Sequence, residues 1–302
     1  MIKEKVLIGN KLVWPSDPYV PIRHSVTEFV GRDNEMRLIT AAWISGEHSL
    51  PLAPLLVGEP GVGKNRLVYE IAHRTARDLY ILQGHEDVSA EDLACAVRFS
   101  DTAGANVDYI TSPLVTAMHR GGICFIDEIG KIRPRALALL VSVLDERRYI
   151  DSNLLAQRVM SHPGFRFIAA TNTGEINALP EFIRSRMRPV INIGYPERSE
   201  INQIVARHFP GLRERLQELL DTFWSLWEKR AKDGQSPSPR DAIHLFGLAT
   251  SMSDFESLGG DAVFEGSNST KPFPLAGGAR PLDLEPMYLE RAFQELFQQK
   301  PD

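Results

Sequence analysis

Apolar residues along this chain fall into two regimes. Between residues 54 and 195 they form short unbroken runs: PLLV (54–57), YILQ (80–83), ICFI (123–126), FRFIAAT (165–171) and PVINIGY (189–195). Runs of this length, bounded by turn residues, predict strands buried on both faces. Between the runs, apolar positions recur at helical spacing in NRLVYEIAHRTARD, PLVTAMHR and RALALLVSVLDERR. SAEDLACAVRF reads as a further helix, opened by Ser89 with Asp92 three residues on, a capping-box start. From Pro196 the strand pattern stops. ERSEINQIVARHF, LRERLQELLDTFWSLWEKRAK, PRDAIHLFGLATSM and LEPMYLERAFQELFQQ all carry helical periodicity. Upstream, Val26 to Ile44 turns helical after FVGRDN, and residues 1–25 read as an extended arm with one short strand.

Strands alternating with helices predict an α/β fold: a parallel five-stranded sheet sandwiched by helices, followed by a small all-helical domain. The expected divisions are an arm at 1–25, the α/β domain at 26–196 and the helical domain at 197–302. The last contains a Gly/Pro-rich loop at 259–283. Trp224 and Trp227, three apart on a helix, are expected in the helical core. At 302 residues, 43% hydrophobic and 24% charged, the chain is an ordinary globular one that buries a core without staples.

Charge and cysteine content narrow the function classes. A net charge of −5 and a pI near 5.9 argue against nucleic acid as the main ligand, whose phosphates demand a positive surface. Only a local basic patch at Arg184, Arg186 and Arg188 qualifies. Cys95 and Cys124 supply neither a disulfide framework nor a zinc pattern, which points to a reducing compartment. No signal-peptide core opens the chain, and no run approaches the ~20 apolar residues of a membrane span. A cytoplasmic protein is the expectation. His85, Glu86 and Asp87 lack a second cluster at ligand spacing and read as a polar loop.

Two motifs carry chemistry. The first is GEPGVGKN: Gly58, Glu59, Pro60, Gly61, Val62, Gly63, Lys64 and Asn65, followed by Arg66. It lies between a strand and a helix. It follows the pattern G-x-x-x-x-G-K-[ST], in which glycines let backbone N–H groups face phosphate oxygens and the lysine neutralises the β- and γ-phosphates. The helix start adds its positive end. Asn65 departs from the pattern, standing where a Ser or Thr hydroxyl holds Mg²⁺. An amide oxygen also ligates a hard cation, so the departure weakens metal affinity without removing it. The second motif is GICFIDE, in which Asp127 and Glu128 follow an apolar strand at its carboxyl end, where ligands of parallel sheets bind. Asp127 would hold Mg²⁺, directly or through water. Glu128 would polarise the attacking water. The pair arrives roughly 60 residues after the lysine, as in many P-loop proteins.

Taken with FVGRDNEM, YITSPLVTAMHRGGICFIDEIGKI, LLVSVLDERRYI, HPGFRFIAATN, LPEFIRSRMR and SPSPRD, these motifs make the chain resemble the AAA+ superfamily. The nearest likeness is to its MoxR-like branch, related to dynein and midasin modules, over residues 28 to 250. The resemblance implies a P-loop ATPase that binds ATP and Mg²⁺ and works as a homo-oligomeric ring, a hexamer, on a protein client. A von Willebrand factor A domain protein is one such partner. Nucleic acid and membrane are not expected. GTP stays open, because the phosphate loop does not read the base. A slow or inactive nucleotide switch, or a nucleic-acid-linked ATPase, remains the alternative. The resemblance assigns Asn172 to orienting the attacking water. It makes Arg186 a finger reaching a neighbouring subunit's site, with Arg184 the alternative, since Ser185 and Met187 replace the family's Asp and Phe. It makes Arg240 the nucleotide sensor of the helical lid and sets Phe29, Val30 and Gly31 against the adenine. It also gives residues 85–110 a pore-facing insertion, with Phe99 to Tyr109 as a partner-contact region.

Overall fold

The computed structural model describes residues 4–21, 28–44, 46, 49–100, 107–230, 236–257 and 284–297. The loop expected at 259–283 lies outside them, as do residues 101–106 of the expected insertion. Two compact units are present. One comprises Met1–Val26 with Arg32–Gly194, the other Thr27–Gly31 with Tyr195–Asp302. The sequence reading grouped residues 26–31 with the α/β part. In the structure Thr27–Gly31 cluster with the helices instead, where Arg207 donates to Phe29 O at 3.0 Å.

The first unit is built on five strands: β3 (Leu55–Val57), β4 (Leu79–Gln83), β7 (Ile123–Asp127), β10 (Arg166–Thr171) and β11 (Val190–Asn192). Their order is β11-β3-β10-β7-β4, and every pairing is parallel. Every residue of β7 and β10 is buried, as continuous apolar runs demand in a sheet covered on both sides. Helix α1 (Asp33–Ala42) precedes β3. Helix α2 (Lys64–Arg74) follows β3 and buries Leu67, Val68, Ile71 and Ala72 on one stripe. Helix α4 (Pro113–Arg120) leads into β7. Ser112 caps it by accepting from Val115 N, Pro113 opens it and Gly121 closes it in the left-handed region. Cys124 is fully buried, and burial pushes its thiol well above the usual range, so it behaves as a small hydrophobe.

Four segments differ from the sequence reading. SAEDLACAVRF keeps its Ser89–Asp92 capping box but is helical only over α3 (Ala90–Ala94). It then becomes β5 (Cys95–Phe99), which pairs antiparallel with β6 (Val107–Thr111). The partner strand, remote from the helical start, overrides local helix propensity. RALALLVSVLDERR is broken into α5 (Pro134–Leu137), a 3-10 turn over Ala138–Leu140 and α6 (Val141–Leu144). Its fully buried residues are Leu137, Leu140 and Val143, a spacing of three that fits the tighter turn. Finally, β8 (Tyr149–Ser152) and β9 (Gln157–Met160) form an unforeseen hairpin. The N-terminal arm is itself a hairpin of β1 (Val6–Ile8) and β2 (Lys11–Val13). Beyond it, Trp14 exchanges backbone bonds with β6, from Trp14 N to Tyr109 O and from Thr111 N to Trp14 O.

In the second unit, α8 (Arg198–His208), α9 (Leu216–Arg230), α10 (Pro239–Ser257) and α11 (Pro286–Phe297) share a core of Ile201, Phe223, Phe246 and Phe293. The Trp227 ring lies edge-on to Phe293 and Phe297, and Trp224 donates to Asn202 Oδ1 at 2.8 Å. Phe223 is fully buried against Trp224, Trp227 and Phe246. Phe223→Ala is therefore expected to destabilise this unit by about 3–5 kcal/mol, read as an earlier urea transition in far-ultraviolet circular dichroism. No helix among the described residues is long and apolar enough to cross a membrane.

Candidate nucleotide-binding site

The phosphate loop connects β3 to α2. Gly61 and Gly63 adopt φ of 84° and 101°, the left-handed region that glycine enters without steric cost. Such a backbone turns successive N–H groups to one side. Gly58 is needed for a different reason: a Cβ there would stand 2.3 Å from Ile193 O. The first helical bond of α2 runs from Leu67 N to Gly63 O at 3.0 Å. The amides of Lys64, Asn65 and Arg66 therefore precede the first closed turn, where a helix presents its positive end to anions.

The parallel register brings the other predicted groups to this loop. Lys64 Nζ donates to Gly58 O at 2.6 Å, Glu59 O at 3.1 Å and Asn172 Oδ1 at 3.0 Å. Asn172 directly follows β10 and also donates to Glu175 Oε2 at 3.3 Å. Asn65 Nδ2 donates to Asp127 Oδ2 at 2.6 Å. Lys64, Asn65, Asp127 and Asn172 thus converge at the carboxyl edge of the sheet. Asp127 is 8% exposed. Burial raises its pKa most, and the adjacent Glu128 charge adds to this, while bonds from Asn65 and from Glu128 N oppose it.

Glu128 turns out of the strand with φ 53°, a left-handed backbone that costs a non-glycine residue about 1–3 kcal/mol. Its carboxylate accepts from Gln83 Nε2 at 2.9 Å and pairs with Lys131 Nζ at 2.9 Å. Sequence reasoning missed both partners. Gln83 lies opposite Asp127 in the β4–β7 register, so aligning the two strands would have found it. Lys131 follows Glu128 by three positions, but only the 3-10 turn Ile129–Lys131 aims it back.

The predicted arginines make local contacts of their own. Arg184, on α7 (Glu181–Arg184), is ion-paired with Glu181. Arg186 Nη1 donates to Phe182 O at 2.7 Å, and its Nε is buried without a partner among the described residues. Phe29, Val30, Gly31 and Arg240 belong to the helical unit. There Gly31 adopts φ 71° against Glu200, and Arg240 sits in the first turn of α10. That helix is capped by reciprocal bonds between Ser238 and Asp241.

The donor set fits a hard divalent cation. A carboxylate and an amide carbonyl are oxygen ligands of the kind Mg²⁺ takes, and Mg²⁺ is held by one or two protein groups plus substrate phosphates. Among the described residues no three His, Cys, Asp or Glu side chains converge as a metal cage.

The raised pKa of Asp127 has a stability consequence. The unfolded chain releases this proton at the ordinary 3.8, the folded chain only at higher pH. The group therefore weakens the fold progressively as pH rises between the two values, and the loss persists above them. Asp127→Asn is expected to raise the melting temperature of the nucleotide-free protein in EDTA near pH 7. The gap to wild type should shrink as the pH is lowered and Asp127 takes up its proton. A variant that melts lower than wild type at neutral pH would contradict this.

Comparison with known proteins agrees with the geometry. Residues 54–187 match the family description "AAA domain (dynein-related subfamily)". The chain is 33% identical over 175 residues to the denitrification regulatory protein NirQ of Stutzerimonas stutzeri, covering 57% of this chain and 61% of NirQ. It is 32% identical over 181 residues to the protein NorQ of Paracoccus denitrificans, covering 59% and 64%. The matched region thus spans less than two thirds of either relative. Among solved structures, the RuvB Holliday junction branch migration motor of Thermotoga maritima superposes with a TM-score of 0.54 at 18% identity, over 88% of this chain and 70% of that one. The FIGL-1 AAA domain bound to ADP superposes at 0.52 and 18% identity, over 95% and 88%. At such identities the superpositions speak for the fold alone. With the phosphate loop, the acidic strand end and the five-stranded parallel sheet in place, residues 54–187 form an AAA domain of the dynein-related subfamily.

Proposed function

We propose that this chain is an ATP-hydrolysing subunit of a homo-oligomeric ring that remodels a protein client. The observation that carries the reading is the convergence of Lys64, Asn172, Asn65 and Asp127 on one loop, through contacts of 2.6 to 3.0 Å. Lys64 and the loop amides bind and orient the phosphates. Asn172, already held by Lys64 and Glu175, positions the attacking water beside Glu128. Asp127 and Asn65 would hold Mg²⁺, which would supply neutralisation of the phosphate charge. Arg186, with Arg184 as the alternative, serves a neighbouring subunit. Arg240 and Phe29–Gly31 are assigned to lid sensing and adenine packing. The MoxR-like resemblance supports a protein client, and a von Willebrand factor A domain protein is the partner class to test.

A second reading, a nucleotide-binding switch that hydrolyses slowly, is favoured by Asn65 at the metal position and by the capture of Glu128 between Gln83 and Lys131. Steady-state phosphate release with Mg-ATP across a range of protein concentrations separates the two. A ring completed by Arg186 in trans gives a rate per subunit that rises with concentration, in step with assembly seen by mass photometry. An Arg186→Ala variant should assemble yet lose the rate. Assembly without phosphate release would select the switch, and a monomer with an undiminished rate would end the ring reading.

A further inference from the structure

A water that attacks a phosphoryl group needs a lone pair aimed at phosphorus. Two acceptors, one for each of its hydrogens, fix that orientation and leave the lone pair available. Glu128 is one acceptor. Asn172 is the other only if its amide turns the carbonyl oxygen to the water. Turned the other way, the amide offers NH₂, which donates to the water's lone pair and competes with attack. The chemistry therefore depends on which end of Asn172 is presented, and an asparagine by itself has no preference.

In the structure both ends of the amide are held. Lys64 Nζ, a donor with no acceptor capacity, donates to Asn172 Oδ1 at 3.0 Å. On the other side Asn172 Nδ2 donates to Glu175 Oε2 at 3.3 Å. An ionised carboxylate only accepts. Exchanging the two ends of the amide would set NH₂ against the ammonium and oxygen against the carboxylate. The two neighbours thus agree on one orientation, but their roles differ. Lys64 is the group that turns to the phosphates when a nucleotide enters. Glu175, an anion, has no attraction for them and keeps its hold.

Glu175 is placed by local backbone geometry. It lies on the 3-10 turn Thr173–Ala178, which begins directly after Asn172, and its own N donates to Asn172 O at 3.0 Å. A backbone bond and a side-chain bond therefore link the same two residues. This turn also packs against the one that follows Glu128. A Cβ added to Gly130 would stand 3.0 Å from Glu175 Cβ and 3.0 Å from Glu175 O. The missing side chain at Gly130 lets the two turns meet, with Glu175 at the contact. The two acceptors assigned to the water are thus carried by neighbouring turns.

We propose that Glu175 is a positioning residue for hydrolysis: by retaining the Asn172 NH₂, it makes the amide oxygen the end that accepts a hydrogen bond from the attacking water. When Lys64 transfers to the phosphates, Asn172 Oδ1 is released while Nδ2 stays on Glu175. The proposal rests on the hydrolytic reading above and adds to it the polarity of the Asn172 amide and the residue that sets it.

The test is phosphate release with Mg-ATP on the full chain, with affinity for a slowly hydrolysed analogue measured in parallel. Glu175→Met keeps a stem of similar length and removes the acceptor. It should lower kcat by about 10–100-fold, the cost of a misdirected reacting group, and leave analogue affinity unchanged. Glu175→Gln, whose amide oxygen can accept the same bond, should restore most of that loss. In an Asn172→Ala background there is no amide to orient, so adding Glu175→Met should lower kcat no further. Turnover in Glu175→Met equal to wild type would overturn the proposal. So would an equal loss in the Asn172→Ala background, which would make Glu175 a general support of the turn. Wild-type protein that releases no phosphate would instead overturn the hydrolytic reading, and this proposal with it.

Discussion

Exchanging Glu128 for Gln is expected to lower kcat for ATP hydrolysis by ~10²–10⁴-fold, the usual contribution of a positioned acid–base group, while nucleotide affinity stays within about threefold. The substitution is nearly isosteric and removes only the carboxylate charge that polarises water. It also ends the ion pair to Lys131, while the amide oxygen can still accept from Gln83, and neither contact involves Lys64 or the loop amides. Binding and turnover therefore separate cleanly. Phosphate release under single-turnover and steady-state conditions, with affinity measured in parallel by calorimetry, reads both quantities. Equal turnover in wild type and variant would mean that Glu128 performs no chemistry, and the switch reading would then stand. The same geometry makes Gln83→Ala informative. Removing one of the two donors to Glu128 Oε2 should change the basal rate without moving affinity.

Lys64→Ala is expected to weaken nucleotide binding by on the order of 100-fold or more, since each hydrogen bond to a charged group is worth about 1.5–3 kcal/mol and 1.4 kcal/mol is tenfold in affinity. The ammonium is held by the carbonyls of Gly58 and Glu59 and by the Asn172 amide oxygen. Phosphate oxygens offer a better partner than these neutral groups, so the lysine changes partners rather than being desolvated anew. The loss should appear equally in EDTA and in Mg²⁺, which distinguishes it from the cation-dependent losses expected at Asn65 and Asp127. Isothermal titration calorimetry with a slowly hydrolysed analogue checks it. An unaltered dissociation constant would remove Lys64 from the site and leave the convergence around it unexplained.

Much of the fold was legible in one dimension because its signals are local. Four of the five apolar runs match the observed strands to within a residue, the fifth overruns Asn192 by three, and the loop between β3 and α2 was recognisable from Gly58, Gly61, Gly63 and Lys64. These features depend on residues adjacent in the chain. What was misread depends on residues that are not. Cys95–Phe99 looks helical until β6 is placed beside it. The apolar residues from Leu137 to Val143 suit a helix on spacing alone, and only the surface they pack on selects the tighter turn. The hairpin of β8 and β9 has no strong periodicity of its own and exists by mutual pairing.

The site divides along the same line. Order along the chain was enough to nominate Lys64, Asp127 and Glu128, because glycine freedom, a lysine after the last glycine and carboxylates at a strand end are properties of short segments; Asn172 came from the family resemblance. It could not tell that Glu128 is held by Gln83 and Lys131, or that Asn65 faces Asp127. Those contacts span up to 62 positions and arise only when parallel strands bring distant segments into register. Local stereochemistry chose the groups; the packing of the sheet chose their partners, and the partners set what each group does.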